Sequence, residues 1–170
     1  MELTIRRLIL ADAEPISKAF AEIGWHKSKE RYEECFERQL AEDIIVLVAE
    51  SNGTFSGYLL IVWDPEYSSC PEIQDLNVLP HYRRQGIATA LMDKAEAIVA
   101  KRSDKIGLGV GLHPGYNAAQ RLYVLRGYVP DGKGVTWKGE YIKERQEIVA
   151  DDGLVMHFVK VFKNQDMSTS

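Results

Sequence analysis

The chain has 170 residues, enough for one domain with a single substantial core. Apolar residues make up 45% and charged residues 27%, which excludes a disordered or collagen-like chain. A net charge of −4 gives no general basic footprint for nucleic acid, and two cysteines, Cys35 and Cys70, give no disulfide framework. Both cysteines read as small buried hydrophobes. No charged-then-apolar leader precedes Leu3, and no apolar run approaches the ~20 residues that span a bilayer, so a cytoplasmic protein is expected.

The elements alternate between strand and helix, which predicts an α/β (α+β) fold with helices packed on a sheet. Leu3 to Leu8 opens as a short strand. Asp12 is placed to cap a helix on which Ala13, Ile16, Ala19, Phe20 and Ile23 recur at helical spacing, and Gly24 stops it. Ser28 can cap a second helix, with Tyr32, Cys35, Phe36 and Leu40 on one face. Ile44 to Ala49 and Tyr58 to Trp63 are strand-like runs around Asn52-Gly53, a tight-turn dipeptide, and predict an antiparallel hairpin. Glu72 to Leu79 is a further strand, closed by Pro80, which has no N–H for a ladder.

After Gly86 the period changes. Ile87, Ala88, Leu91, Ala95, Ile98 and Val99 form one apolar stripe, which predicts an amphipathic helix. Ile106 to Leu112 reads as a strand whose interleaved glycines imply close approach of another group to its backbone. Asn117 to Arg126 predicts a short helix with Ala119, Leu122 and Leu125 inward, stopped by Gly127. Strands are expected from Tyr128 and over Leu154 to Phe162, with 131–152 an excursion carrying a small hairpin. The core is expected over 3–163, with a frayed tail from Lys163.

The junction Arg83-Arg84-Gln85-Gly86-Ile87-Ala88 carries the chemistry. A helix start leaves backbone N–H groups unpaired and carries partial positive charge, which together make an anion site. Gly86 permits close backbone approach, Ala88 is small, and two arginines add local charge to an acidic chain. Taken alone, the segment reads first as an ordinary strand-to-helix connection with exposed arginines. A second segment narrows the choice: Asn117-Ala118-Ala119-Gln120-Arg121-Leu122-Tyr123, running on to Gly127-Tyr128.

Val78-Leu79-Pro80 followed by Arg83-x-x-Gly86-x-Ala88 resembles the cofactor motif of the GNAT superfamily of acetyl-CoA-dependent N-acyltransferases, Gln/Arg-x-x-Gly-x-Gly/Ala. The second segment resembles that family's Asn-x-x-Ala-x-x-Leu-Tyr-x-x-x-Gly-Phe/Tyr, with a one-residue ambiguity at the alanine. The resemblance implies a mixed, mostly antiparallel central sheet splayed open for acetyl-CoA and flanked by about four helices. It implies acetyl-CoA as co-substrate. Its pyrophosphate would lie on Arg83, Arg84, Gln85, Gly86, Ile87, Ala88 and Thr89, and its pantetheine arm along Leu76, Asn77 and Val78.

Acetyl transfer to an amine requires a base for the ammonium, donors for the developing oxyanion, and tolerably a proton for the departing thiolate. Resemblance points to Tyr123 as general acid; a core tyrosine is the structural alternative, and Tyr116 and Tyr128 read as packing residues. Glu72, eleven positions before Arg83, is the candidate base, with Asp75, a water chain or a plain strand-end carboxylate as alternatives. Asn117 suits either a cofactor contact or a helix cap. The oxyanion donor is expected to be a backbone N–H near Val78. No Ser or Cys nucleophile with a paired His is evident. Four scattered histidines (His26, His81, His113, His157) give no metal spacing.

For the acceptor, a small-molecule amine or a peptide or protein amine, the resemblance offers Trp25, His26, Trp63 and Asp64, with Tyr67 nearby in sequence. No nucleic acid or membrane partner is expected; a homodimer is common in the family. A CoA-binding sensor without chemistry and an aminoglycoside-modifying enzyme are the competing readings.

Overall fold

The structure, a computed structural model, describes residues 1–163, so the tail expected to fray lies outside the described residues but for Lys163. The chain forms two compact units, Met1–Asp64 with Ile73–Ile98, and Pro65–Glu72 with the residues from Val99 onward.

The first unit carries β1 (Leu3–Arg7), α1 (Ala13–Glu22), α2 (Lys29–Leu40), β2 (Ile44–Ser51), β3 (Thr54–Val62), most of β4 (Glu72–Val78) and α3 (Ile87–Val99). Its strands run in chain order, with β1, β2 and β3 paired antiparallel. Asn52 and Gly53 both take positive φ, 50° and 76°, which suits the tight turn between β2 and β3. Nearly every residue of β2 and β3 is buried, so their apolar runs lose the two-residue alternation of a half-exposed strand. Ile16 and Phe20 of α1 and Tyr32 of α2 join Val46, Val48, Tyr58 and Leu60 in one core.

Local capping departs from expectation at one helix and follows it at the other. Ser28 accepts from Arg31 N–H at 3.3 Å and caps α2. Asp12 makes no cap bond to α1; its carboxylate takes Arg6 at 2.8 Å and the Ile9 N–H at 2.8 Å. Arg6 also donates to Glu50 at 2.6 Å, and this pairing of guanidinium with two carboxylates outbids a weaker N–H partner. Leu40, expected on the buried face of α2, is 63% exposed in the last turn.

The second unit carries β5 (Lys105–Gly111), α4 (Asn117–Leu125), β6 (Val129–Trp137), β7 (Glu140–Tyr141) and β8 (Leu154–Val161), ordered β5-β8-β6-β7 with every pair antiparallel. The segment 131–152 is therefore less of an excursion than expected. Its first part continues β6 along β8, with the register shifted between Pro130 and Val135. Lys138 and Gly139, at φ 50° and 82°, turn the chain into β7. The glycines of β5 are covered closely, as their pattern implied. A Cβ on Gly107 would stand 3.2 Å from Cys70 Sγ, one on Gly109 2.9 Å from Val155, and one on Gly111 inside the Tyr116 ring. On α4, Tyr123 points inward while Leu125, expected inward, is 79% exposed. With Tyr123 and Tyr128 filling the space, the helix is rotated by one position from its aliphatic pattern.

Candidate functional site

The junction between β4 and α3 is built for close backbone approach. A short 3₁₀ turn, Pro80–Tyr82, leads to Arg83; Arg84 and Gly86 then take φ of 60° and 81° before α3 begins. A residue that alternates into the left-handed region turns successive N–H groups toward one side, and the first turn of α3 adds its own unpaired N–H groups there. Arg84, a non-glycine at positive φ, holds this shape at a cost of about 1 kcal/mol. No heavy atom lies within 4 Å of where a Gly86 Cβ would stand, so the glycine is demanded by its backbone angle and the space above it is open.

The flanking side chains leave that space free. Arg83, Arg84, Gln85, Gly86 and Thr89 are exposed, Ala88 is half-buried and Ile87 is buried. Arg83 Nε donates to Val78 O at 3.1 Å, and its guanidinium lies 5.9 Å from the Trp25 ring centre. Gln85 Nε2 donates to His81 O at 3.1 Å. Before the turn, Leu76, Asn77 and Val78 are half-buried. Gly57 on β3 lets this stretch come close: a Cβ there would stand 2.6 Å from Asn77 O.

The two candidate carboxylates are in opposite electrostatic states. Asp75 adopts φ 54°, which interrupts the extended repeat of β4. It is ringed by donors: the Tyr58 hydroxyl, Arg31 at 2.7 Å, Asn77 Nδ2 at 2.7 Å and Lys27 Nζ at 3.2 Å. Burial pushes its carboxyl up, but the Tyr58 bond and the charges of Lys27 and Arg31 outweigh that and hold it below the usual range. Burial lowers Lys27 despite Asp75 beside it, and raises the Tyr58 phenol far above its ordinary value. Asp75 is thus a fixed anion holding two cations, a poor proton acceptor.

Glu72 is 5% exposed and carries no such ring. Burial alone pushes its carboxyl up to about 7. Its titratable neighbour at 4.0 Å is His157 Nε2 on β8, whose imidazole burial holds toward the neutral form. Tyr123 is 7% exposed, packs edge-on against Tyr128 with ring centres 6.0 Å apart, and is pushed up to about 12 by burial. Asn117 departs from its cap role. A 3₁₀ turn, Pro114–Tyr116, precedes α4, so Asn117 already has helical φ and ψ, and His113 accepts the Gly115 N–H upstream. Asn117 is exposed, with Oδ1 on the Ala118 N–H at 2.6 Å.

Among the acceptor candidates, Trp25 is 37% exposed and stacks on Phe20 with ring centres 5.8 Å apart. His26 and Asp64 are exposed and Trp63 is half-buried. The Asp75 cluster with Lys27, Arg31 and Tyr58 gives no sequence signal, because its bonds span 17 to 48 positions. His157 was visible only as an isolated histidine. Among the described residues no group of three His, Cys, Asp or Glu could hold a metal ion, and no helix is long and apolar enough to cross a membrane.

The profile of the acetyltransferase (GNAT) family matches residues 10–128. An N-acetyltransferase from Staphylococcus aureus Mu50 has the same fold, with TM-score 0.72 and 17% identity over 96% of this chain and 100% of that one. A GNAT-family acetyltransferase from Streptococcus pneumoniae gives TM-score 0.68 and 21% identity, covering 95% and 100%. The PaiA N-acetyltransferase from Thermoplasma acidophilum, solved in complex with coenzyme A, gives TM-score 0.63 and 19% identity, covering 92% and 98%. No curated protein matches the chain.

Proposed function

The chain belongs to the GNAT family of acetyltransferases, and from that premise we propose that it moves the acetyl group of acetyl-CoA to a primary amine by direct attack. The observation that carries this reading is the turn from Arg83 to Ala88, where left-handed Arg84 and Gly86 expose backbone N–H groups at the start of α3. Pyrophosphate is the natural ligand for that arrangement. Coenzyme A in the similar Thermoplasma structure supports the choice.

Each residue then has a task. Arg84 and the N–H groups of the turn hold the pyrophosphate, Thr89 and Asn117 offer further polar contacts, and backbone of Leu76, Asn77 and Val78 pairs with the pantetheine arm. A backbone N–H near Val78 supports the carbonyl oxygen as it gains charge. Glu72, poised at about 7, takes the proton that the acceptor ammonium must lose before its nitrogen has a lone pair. After attack, Tyr123 donates its O–H to the departing sulfur and regains a proton from the new amide nitrogen. A phenol held protonated at neutral pH is suited to donate. The overall reaction releases one proton, which leaves through Glu72. Trp25, His26, Trp63 and Asp64 are proposed to border the amine.

Tyr123→Phe tests the assignment of the acid. Turnover should fall by about 10- to 100-fold, at or below the low end of general acid effects, because a thiol near pKa ~8.5 leaves tolerably unaided. CoA affinity measured by calorimetry should stay within about twofold, since the lost hydroxyl contributes no cofactor charge contact. An unchanged turnover number would return Tyr123 to a packing role.

A further inference from the structure

One lysine of the chain is held where an acceptor amine is needed. In coenzyme A the pantetheine arm joins the pyrophosphate to the sulfur. With the pyrophosphate on the turn at 83–89 and the arm along Val78, Asn77 and Leu76, the thioester end lies toward Asp75. There Lys27 Nζ donates to Asp75 Oδ1 at 3.2 Å. Lys27 belongs to the segment between α1 and α2, and Ser17 Oγ fixes its backbone by donating to Lys27 O at 2.6 Å. Nζ also donates to the Tyr58 hydroxyl at 2.9 Å. It stands 4.8 Å from the Phe20 ring centre and 5.2 Å from that of Tyr58. Lys18 and Lys29 on the flanking helices are exposed, whereas the Lys27 side chain keeps only 19% of its surface in water.

We propose that Lys27 is a self-acetylation site, its Nζ taking the acetyl group of acetyl-CoA bound to the same chain when no other amine occupies the centre. This rests on the acetyl-CoA placement given under the proposed function. The ammonium first loses one proton to water, which reaches the exposed part of the side chain. Asp75 is too poor a proton acceptor to serve. The Nζ lone pair then attacks the thioester carbonyl carbon, so that a C–N bond forms and the C–S bond breaks. The departing thiolate takes a second proton from the nitrogen. The products are Nζ-acetyl-lysine, the free thiol of coenzyme A and one proton in solvent. No reactant beyond acetyl-CoA is needed.

Three observations support the assignment. First, Nζ has two oxygen partners, the Tyr58 hydroxyl and Asp75 Oδ1. These two accept both N–H bonds of a neutral amine and leave its lone pair unengaged. An amine held in this way beside a thioester reacts at a high effective concentration. Second, Asp75 does not depend on the Lys27 charge. Arg31 at 2.7 Å, Asn77 Nδ2 at 2.7 Å and the Tyr58 hydroxyl also donate to its carboxylate, so it stays paired after Lys27 is neutralised. Third, the surroundings favour the neutral amine over that of an exposed lysine. Burial lowers Lys27, and Arg31 on α2 lowers it further, against the opposing pull of Asp75 on β4.

The test incubates the full chain with acetyl-CoA and no added amine, and locates acetyl groups by peptide mass spectrometry. One acetyl group per chain is expected, on Lys27, at a rate per chain that does not change with protein concentration. Lys27 should be labelled at least about tenfold faster than exposed Lys18 and Lys29, which report plain chemical acetylation. Acetyl phosphate, a donor without coenzyme A, should show no such preference. Gly86→Glu, which blocks the cofactor turn, should abolish the labelling of Lys27 and leave that of Lys18 and Lys29 unchanged. An unmodified Lys27, labelling spread evenly over the three lysines, the same preference with acetyl phosphate, or a rate per chain that rises with protein concentration would overturn the proposal. The same chain is also offered a panel of free amines. If free amines are acetylated while Lys27 stays unmodified with and without them, only the self-acetylation site falls. If neither Lys27 nor any free amine accepts an acetyl group, the transferase reading falls with it.

Discussion

Glu72→Gln is expected to lower kcat by about 10²- to 10⁴-fold, the usual range for a positioned general base, and to flatten the pH–rate profile. The unmodified enzyme should gain rate as pH rises through about 7 and reach a plateau above it, because only the ionised carboxylate accepts a proton. Glutamine fills the same volume and cannot ionise, so steric change does not explain a loss. The same substitution has a stability signature of known sign. The folded carboxyl sits above its ordinary value of 4.5, so its favourable contribution is complete below that value and is lost as pH rises through about 7. The buried charge then costs at most about 3 kcal/mol at higher pH. Glu72→Gln should therefore lose less thermal stability than the unmodified chain between about pH 5 and pH 8. Asp75→Asn provides the contrast. Asp75 is held low by Tyr58, Lys27 and Arg31, so its pH dependence lies at acid pH and not near neutrality. A pH–rate profile that keeps its neutral midpoint in Glu72→Gln would assign the base elsewhere.

Gly86→Glu is expected to reduce CoA affinity by about 100-fold or more, close to abolition in a calorimetric titration. Two effects combine. The residue sits at φ 81°, where an L side chain costs about 1–2 kcal/mol. The side chain would then occupy the open space over the turn, with a negative charge where phosphate must lie. Gly86→Ala separates the two, since it carries the backbone strain without the charge. It should lose about tenfold or less, with a modest drop in melting temperature. Equal affinity in Gly86→Glu and the unmodified protein would remove the pyrophosphate from this turn.

The shape of the turn was legible in the sequence because its determinants are local. A strand, a proline, a glycine at the helix start and an apolar stripe all fall within residues 72 to 99. The hairpin at Asn52-Gly53 and the cap at Ser28 were legible for the same reason. What stayed hidden depends on distance. Asp75 and Glu72 lie three positions apart on one strand, and nothing local says that one would collect Lys27, Arg31 and Tyr58 while the other would be buried almost alone. His157 gained meaning only from Gly109 opposite it in the ladder. Leu125 misled because two tyrosines outcompeted aliphatic residues for the interior beside α4. Of the two readings of Asn117, the cap failed because the short turn before it moved the helix start upstream.

The most direct test is to incubate the purified chain with acetyl-CoA and a panel of primary amines, spanning polyamines, amino acids, peptide N-termini, lysine peptides and aminoglycosides. Thiol release and the mass of the amine product are followed together. The account predicts amine-dependent thiol release matched mole for mole by an acetylated amine. Tight CoA binding with no acetylated product from any amine would contradict it and make the chain a CoA-binding module.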